Sequence, residues 1–431
     1  MSVSMVLSRR KLLWGGAALC SNRRAIPDDL PLTGQAVPAM SSFDDLILGF
    51  MRENHVPGGA LAVTKNGRLM YARGYGWADQ DARIPYAPNM LCRIASVSKP
   101  FTAAAVLTLV QRGELNLDDC AFPILRIKPF PSGESGDKRL NQVTVRHLLH
   151  HTGGFDRAVS GDPMFMAARI ARDMEIASPP SPRDIVRWQM GRPLDFEPGT
   201  REEYSNFGYC VLGRLIEKVT GSTYEKYVQS LLAPLGVTQM QIGKSRLSER
   251  AQNEVRYYDA ANRTGTSVFV QDRGASVPLP YGAWDVAAMD AHGGWLASVV
   301  DLARFAAALE APDGRNLLSG RSRRTLYERP APPVGLEANG APSPTFYACG
   351  WQVRPVGQTG RANYWHAGKL DGTATLLVRR FDGLSWAVNF NTDAVSESLA
   401  GKIDGPLHKA ADAVPVWPTE NRFREFYPNV T

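Results

Sequence analysis

Strand signal lies at the two ends of this chain and helical signal fills the space between, which narrows the available folds more than any other feature. Near the start, "GGALAVTKNGRLMYARGYGWAD" (58–79) reads as two strands joined at Asn66-Gly67, a dipeptide suited to the positive φ of a two-residue hairpin turn. Beyond residue 345, "YACGWQVRP", "ANYWHAG", "GTATLLVRRF" and "LSWAVNFNT" are rich in aromatic and β-branched residues. Turn signals such as Asp382-Gly383 part them, as in an antiparallel meander. Helical spacing marks 42–54, 97–112, 143–150, 207–219, 223–232, 299–310 and about 394–411. The simplest architecture is α/β plus all-α: an antiparallel sheet flanked by helices, built from 36–105 and 290–431, with a mainly helical domain (106–289) inserted. A cleft between the two is the natural substrate site.

The chain has 431 residues, 44% of them hydrophobic, enough for one large core or two moderate ones. No run of about eighteen apolar residues follows the N-terminus, so no stable membrane span is expected. The formal charge of +7 suggests an anionic partner until it is located. Residues 1–24 hold Arg9, Arg10, Lys11, Arg23, Arg24 and no acid; taking those five from +7 leaves +2 for the rest. With no basic helix, finger spacing or interleaved basic and aromatic residues, a nucleic-acid partner is not expected. The leader "LSRRKLLWGGAALCSNRRA" has the outline of an export signal, and Ser8–Leu13 resembles the twin-arginine type. Residues 1–35 are therefore expected to be signal and linker, and the mature chain periplasmic or extracellular. Cys20 follows Leu19, a poor fit to a lipid-anchor site. Five cysteines without paired spacing (20, 92, 120, 210, 349) read as buried thiols. No metal ligand set is called for, and no cofactor.

"RIASVSKPFTAA" (93–104) sets Ser96 three residues before Lys99, ahead of an apolar run, Phe101–Val110, that should be buried. A serine hydroxyl is a weak nucleophile until a base takes its proton. Positions i and i+3 share a helix face, and burial strips a lysine of its charge. The helix start also offers unpaired N–H groups to an oxyanion. Against this stand an ordinary helix start and a rival, Ser135-Gly-Asp-Lys138, in a loop. Tyr204-Ser205-Asn206 follows Pro198-Gly199 at a loop-to-helix junction. Tyr204 can shuttle protons if a lysine ammonium lowers its pKa, and Asn206 can bind a substrate amide or steady the lysine; a helix cap with a packed tyrosine is the alternative. His366-Ala367-Gly368 lies at the meander's edge, where a small-residue strand can line a substrate. His151-Thr152-Gly153, at the end of "TVRHLLHH", reads as a helix-terminal turn, and His292-Gly293-Gly294 as a loop.

The order Ser-x-x-Lys, Tyr-Ser-Asn, His-x-Gly, with "TVRHLLHHTGG", resembles the serine β-lactamase-like, penicillin-recognising superfamily over about 42–411. Class C β-lactamases, D-alanyl-D-alanine carboxypeptidases and class VIII carboxylesterases are its nearest forms. The resemblance implies Ser96 as acylated nucleophile, Lys99 as its base or relay, and Tyr204 in acylation and deacylation. It implies Asn206, His366 and Gly368 at the substrate, and an oxyanion hole from the N–H groups of Ser96 and Lys369. The β-lactamases place Lys-Thr-Gly where His366-Ala367-Gly368 stands, so one fixed cation and one hydroxyl are missing here, unless Lys369 swings in to replace the charge. The expected partner is a small ester or peptide. A carboxylesterase on small esters is the leading expectation, a D-alanyl-D-alanine carboxypeptidase, D-amino-acid peptidase or β-lactamase the second, and a non-turnover penicillin sensor the third. Oligomeric state is left open.

Overall fold

The computed structural model describes residues 30–131, 136–272, 274–309, 316–358 and 360–428. Cys20, Ser135 and the expected leader up to residue 29 lie outside them. The main sheet has nine strands: β1 (Leu32–Thr33), β2 (Gly58–Lys65), β3 (Arg68–Asp79), β4 (Ile84–Pro85), β5 (Phe346–Tyr347), β6 (Gln352–Val356), β7 (Arg361–Leu370), β8 (Thr373–Arg379) and β9 (Leu384–Phe390). Their order is β1-β3-β2-β9-β8-β7-β6-β5, with β4 on β3. The expected hairpin turns at Asn66-Gly67, both with positive φ (50° and 75°). The two ends of the chain meet where β9 pairs antiparallel with β2, from Leu384↔Lys65 to Phe390↔Gly59. One expectation is corrected at its edge: Leu32 and Thr33 pair with Tyr75 and Gly74, so the fold begins before residue 36.

Strand alternation divides the apolar side chains between two cores. Leu61, Val63, Trp386 and Val388 face α1 (Ser41–Asn54), where they meet Phe43 and Ile47. Ile403 and Leu407 of the last long helix, Leu399–Asp412, join the same core. Ala60, Ala62 and Ala387 face the other way, toward the helix Val299–Ala308 and, beyond it, α2 (Ser98–Gln111). Small side chains on that face let a helix come close to the sheet. With helices on both sides, β8 and β9 are buried along their whole length. Burial is continuous in α2 as well, from Ser98 to Leu109, and Phe101 stacks on Phe305 with ring centroids 4.0 Å apart. Each such apolar side chain contributes about 1.5–3 kcal/mol on full burial. The hydrophobic effect therefore anchors α2 all round.

The middle of the chain supplies α3 (Val145–Leu149), α4 (Asn206–Thr220) and α5 (Tyr224–Leu232). It also holds short strands that the sequence does not announce. Gln241–Ile242 and Cys92–Arg93 flank Trp295–Ala297, and Thr264–Thr266 pairs with Ser276–Pro278. Two or three residues are too few to display a period of two. Among the described residues, no helix is long and apolar enough to cross a membrane. Cys92, Cys210 and Cys349 are buried free thiols, and Cys120 is a free thiol partly exposed.

Candidate active site

The short pairing of Cys92–Arg93 with Leu296 and Ala297 fixes the chain that leads to Ser96. The Ile94 N–H then donates to the Trp295 carbonyl at 3.0 Å, and one tight turn, Ala95–Val97, opens into α2. Ala95 has φ 47°, a left-handed conformation costing a non-glycine residue about 1–2 kcal/mol. From residue 91 to 109 only Ser96 is not buried, so within that stretch its hydroxyl is what a substrate can reach.

Lys99 lies wholly inside. Its Nζ stands 3.1 Å from Ser96 Oγ, 2.8 Å from Asn206 Oδ1 and 3.0 Å from the His292 carbonyl oxygen. Burial holds its pKa well below the ordinary lysine value; the charge of Asp162 acts against this and that of Arg157 with it. A neutral amine has two hydrogens and one lone pair. The two carbonyl oxygens only accept, so they take both hydrogens. The lone pair is then left for the Ser96 hydroxyl proton, the arrangement a general base requires.

Tyr204 borders the same amine, its ring 4.6 Å from Nζ, with the Arg157 guanidinium 5.2 Å from the ring. Here an expectation is reversed: burial pushes the phenol up, while a hydrogen bond with Ser96 acts the other way. Lys99 is the group favoured to be deprotonated, and Tyr204 keeps its proton. Tyr204 and Asn206 are presented by the turn into α4, which Ser205 caps by accepting the Gly208 N–H at 3.1 Å. His151 holds that turn from behind. Its Nδ1 accepts the Ser205 N–H at 3.2 Å, and its ring lies 4.4 Å from Tyr204 and 4.3 Å from Tyr347. The residue is a helix-terminal turn, as expected, with φ 59°; that conformation is also what sends the imidazole inward. His147 stands four residues earlier, but its Nδ1 accepts the Thr144 N–H, so the two do not form a ligand pair. Among the described residues, no group of three or more His, Cys, Asp or Glu is placed to hold a metal ion.

The third wall is β7. Strand β6 accompanies it only as far as Gln352↔Trp365, while residues 366–370 pair with β8 alone. That leaves one edge of β7 without a strand partner beside Ser96. Gly368 is required there: a Cβ would lie 2.2 Å from the Ile94 carbonyl oxygen. His366 is buried, and its Nδ1 lies 2.8 Å from the Ala367 carbonyl oxygen, which assigns the ring proton to Nδ1. Nε2 then accepts the Tyr347 hydroxyl at 3.0 Å. Both nitrogens are engaged, and burial pushes the imidazole pKa down to about 3. His366 thus forms a neutral wall without a free nitrogen. Lys369 is three residues on and so points to the opposite face. Its Nζ donates to the Ala394 carbonyl at 3.0 Å and lies 3.3 Å from Asp393 Oδ2. The side chain does not swing in, so Lys369 does not replace the missing charge.

The structure therefore gathers Ser96, Lys99, Tyr204, Asn206 and His366 around one point, with Gly368 against the Ser96 turn. The side chain of Lys369 stays outside, leaving only its backbone at the edge. His292 contributes a carbonyl, and neither His151 nor Asp162 had been singled out for the site. His151 carried a signal, an imidazole in "HHTGG"; Asp162 carried none. The Beta-lactamase family model matches residues 43–404, and the chain belongs to that family, within the serine hydrolase superfamily of penicillin-binding proteins. Protein flp of Staphylococcus aureus strain COL is 31% identical over 201 residues, which cover 46% of this chain and 38% of that protein. Penicillin-binding protein 4* of Bacillus subtilis strain 168 is 28% identical over 334 residues, 77% of this chain and 67% of that one. Among solved structures, the octameric penicillin-binding protein homologue from Pyrococcus abyssi superposes with TM-score 0.60 at 27% identity, covering 82% of this chain and 73% of that one. The D-amino acid amidase from Ochrobactrum anthropi SV3 gives 0.64 at 23% identity, covering 87% and 99%, a likeness of fold.

Proposed function

We propose that this chain hydrolyses small carboxylic esters through an acyl-enzyme on Ser96. The observation that carries the proposal is the contact set of Lys99: two carbonyl acceptors and one hydroxyl around a buried amine. Ser96 Oγ attacks the ester carbonyl as its proton passes to the Lys99 lone pair. The N–H groups of Ser96 and Lys369 hold the oxyanion. On collapse the alkoxide leaves with the Tyr204 proton, which Lys99 restores. Water then attacks the acyl carbonyl, gives its proton back along the same path, and frees Ser96.

The wall formed by His366 supports the choice of ester. A β-lactam or C-terminal peptide carries a carboxylate close to the attacked carbonyl and gains from a fixed cation on this strand. His366 is neutral, and Lys369 is held by Asp393. Arg157, the exposed cation nearby, lies against the Tyr204 ring instead. A panel of short p-nitrophenyl esters, a cephalosporin, a D-Ala-D-Ala peptide and D-phenylalanine amide tests the reading. Esters should be turned over fastest, with a burst followed by a steady rate. Preference for the peptide or the amide would replace the esterase reading, and a burst that stops would indicate a sensor. Export, supported by the basic leader, predicts that N-terminal sequencing of the native protein begins after residue 24; an intact Met1 on cytoplasmic protein contradicts it.

A further inference from the structure

We propose that Asp162 is a positioning residue: it holds the Asn206 amide with its oxygen toward Lys99 and so reserves the amine's lone pair for Ser96. This rests on the acyl-enzyme reading above. Asp162 caps the turn Pro163–Phe165, where Oδ1 accepts the Met164 N–H at 3.1 Å, and Oδ2 accepts the Asn206 Nδ2–H at 2.7 Å. Both carboxylate oxygens are thus engaged, and a carboxylate can only accept. The Asn206 NH₂ must therefore face Asp162, which turns Oδ1 to Lys99 at 2.8 Å. Without that acceptor the amide is free to rotate and present N–H to Nζ. An N–H there would occupy the lone pair, and Ser96 would lose its base.

Asparagine at 162 does not repair this. One amide oxygen cannot serve both Met164 and Asn206, and its NH₂ would favour the turned Asn206. Exchanging the two residues would restore the sense of the contact, with an amide at position 162 donating and a carboxylate at position 206 accepting from Lys99. Charge adds a second signature. Lys99 is faced by Tyr204 and Tyr209 and by His151, His292 and His366, while Asp162 and Arg157 act on it from further out. Burial keeps the three histidines neutral, so removing Asp162 removes an anion that favours the Lys99 ammonium.

The test is the rate at which a fluorophosphonate labels Ser96, measured against pH, because it needs no knowledge of the substrate. Asp162→Ala and Asp162→Asn should each label at least about tenfold more slowly at the plateau, a part of the 10²–10⁴-fold worth of a general base. In both, the acid limb should move to lower pH, since the neutral amine is favoured once the anion is gone. Asp162→Asn with Asn206→Asp should label faster than either Asp162 single variant, with its acid limb moved to higher pH by a carboxylate touching Lys99. Singles that label like the wild type, or slow without any displacement of the limb, overturn the proposal. A wild-type protein that is not labelled at Ser96 overturns the acyl-enzyme reading itself.

Discussion

In the proposed mechanism Lys99 is the base: burial disfavours its charged form, and its hydrogen-bond partners are two carbonyl oxygens and a hydroxyl, none of them an anion. Lys99→Ala and Tyr204→Phe should each slow ester turnover by roughly 10²–10⁴-fold, and the double variant should be little worse than either, because the two serve one proton path. Additive losses in the measured rates contradict that path. The pH profile follows from the same groups. Turnover needs neutral Lys99, so the rate rises with pH through the lowered lysine pKa. His366, held at about 3, adds no limb between about pH 5 and 8. His366→Asn should keep the profile's shape; disappearance of a limb in that range would assign the titration to His366. At this scale the sequence pointed to Ser96, Lys99, Tyr204 and Asn206 through the motif order in which it resembles the penicillin-recognising superfamily. It did not disclose Asp162, because an aspartate in a polar loop becomes specific only when folding brings Asn206 to 2.7 Å.

At the scale of elements, the proposed ester preference rests on β7. Gly368→Ala would force backbone apart at a 2.2 Å approach, so the strand must shift away from Ser96. A stability loss of about 1–3 kcal/mol with a larger fall in labelling rate is expected, read from a thermal melt and intact mass. Since Lys369 lies on the far face, His366→Lys should raise cephalosporin turnover above the wild-type level; no gain would mean that the missing cation is not what limits it. The turn at His151 is a supporting element. His151→Ala should cost about 2–4 kcal/mol through its cavity and the unpaired Ser205 N–H, measured by denaturant unfolding. The main helices and the Asn66-Gly67 hairpin were readable because their periods and turn residues are local. The face taken by His151 was not, because it depends on a φ of 59° after α3 and on rings from α4 and β5.

Across the whole molecule, one sheet made from both ends of the chain holds the site between β7 and the helices inserted after Ser96. The C-terminal segment closes that arrangement. Leu69 N–H donates to Asn421 Oδ1 at 3.1 Å, and the Tyr427 hydroxyl donates to buried Asp301 at 2.7 Å. Tyr427→Phe should lower stability by about 1–3 kcal/mol by leaving Asp301 short of a donor, with ester turnover unchanged; unchanged unfolding would show the clip to be idle. The central claim is that Ser96 carries the acyl group, and peptide mapping after brief reaction with a fluorophosphonate tests it most directly. A single adduct on the peptide containing Ser96, absent from Ser96→Ala and retained in Ser135→Ala, is the predicted result. An adduct on Ser96→Ala at the wild-type level would contradict it.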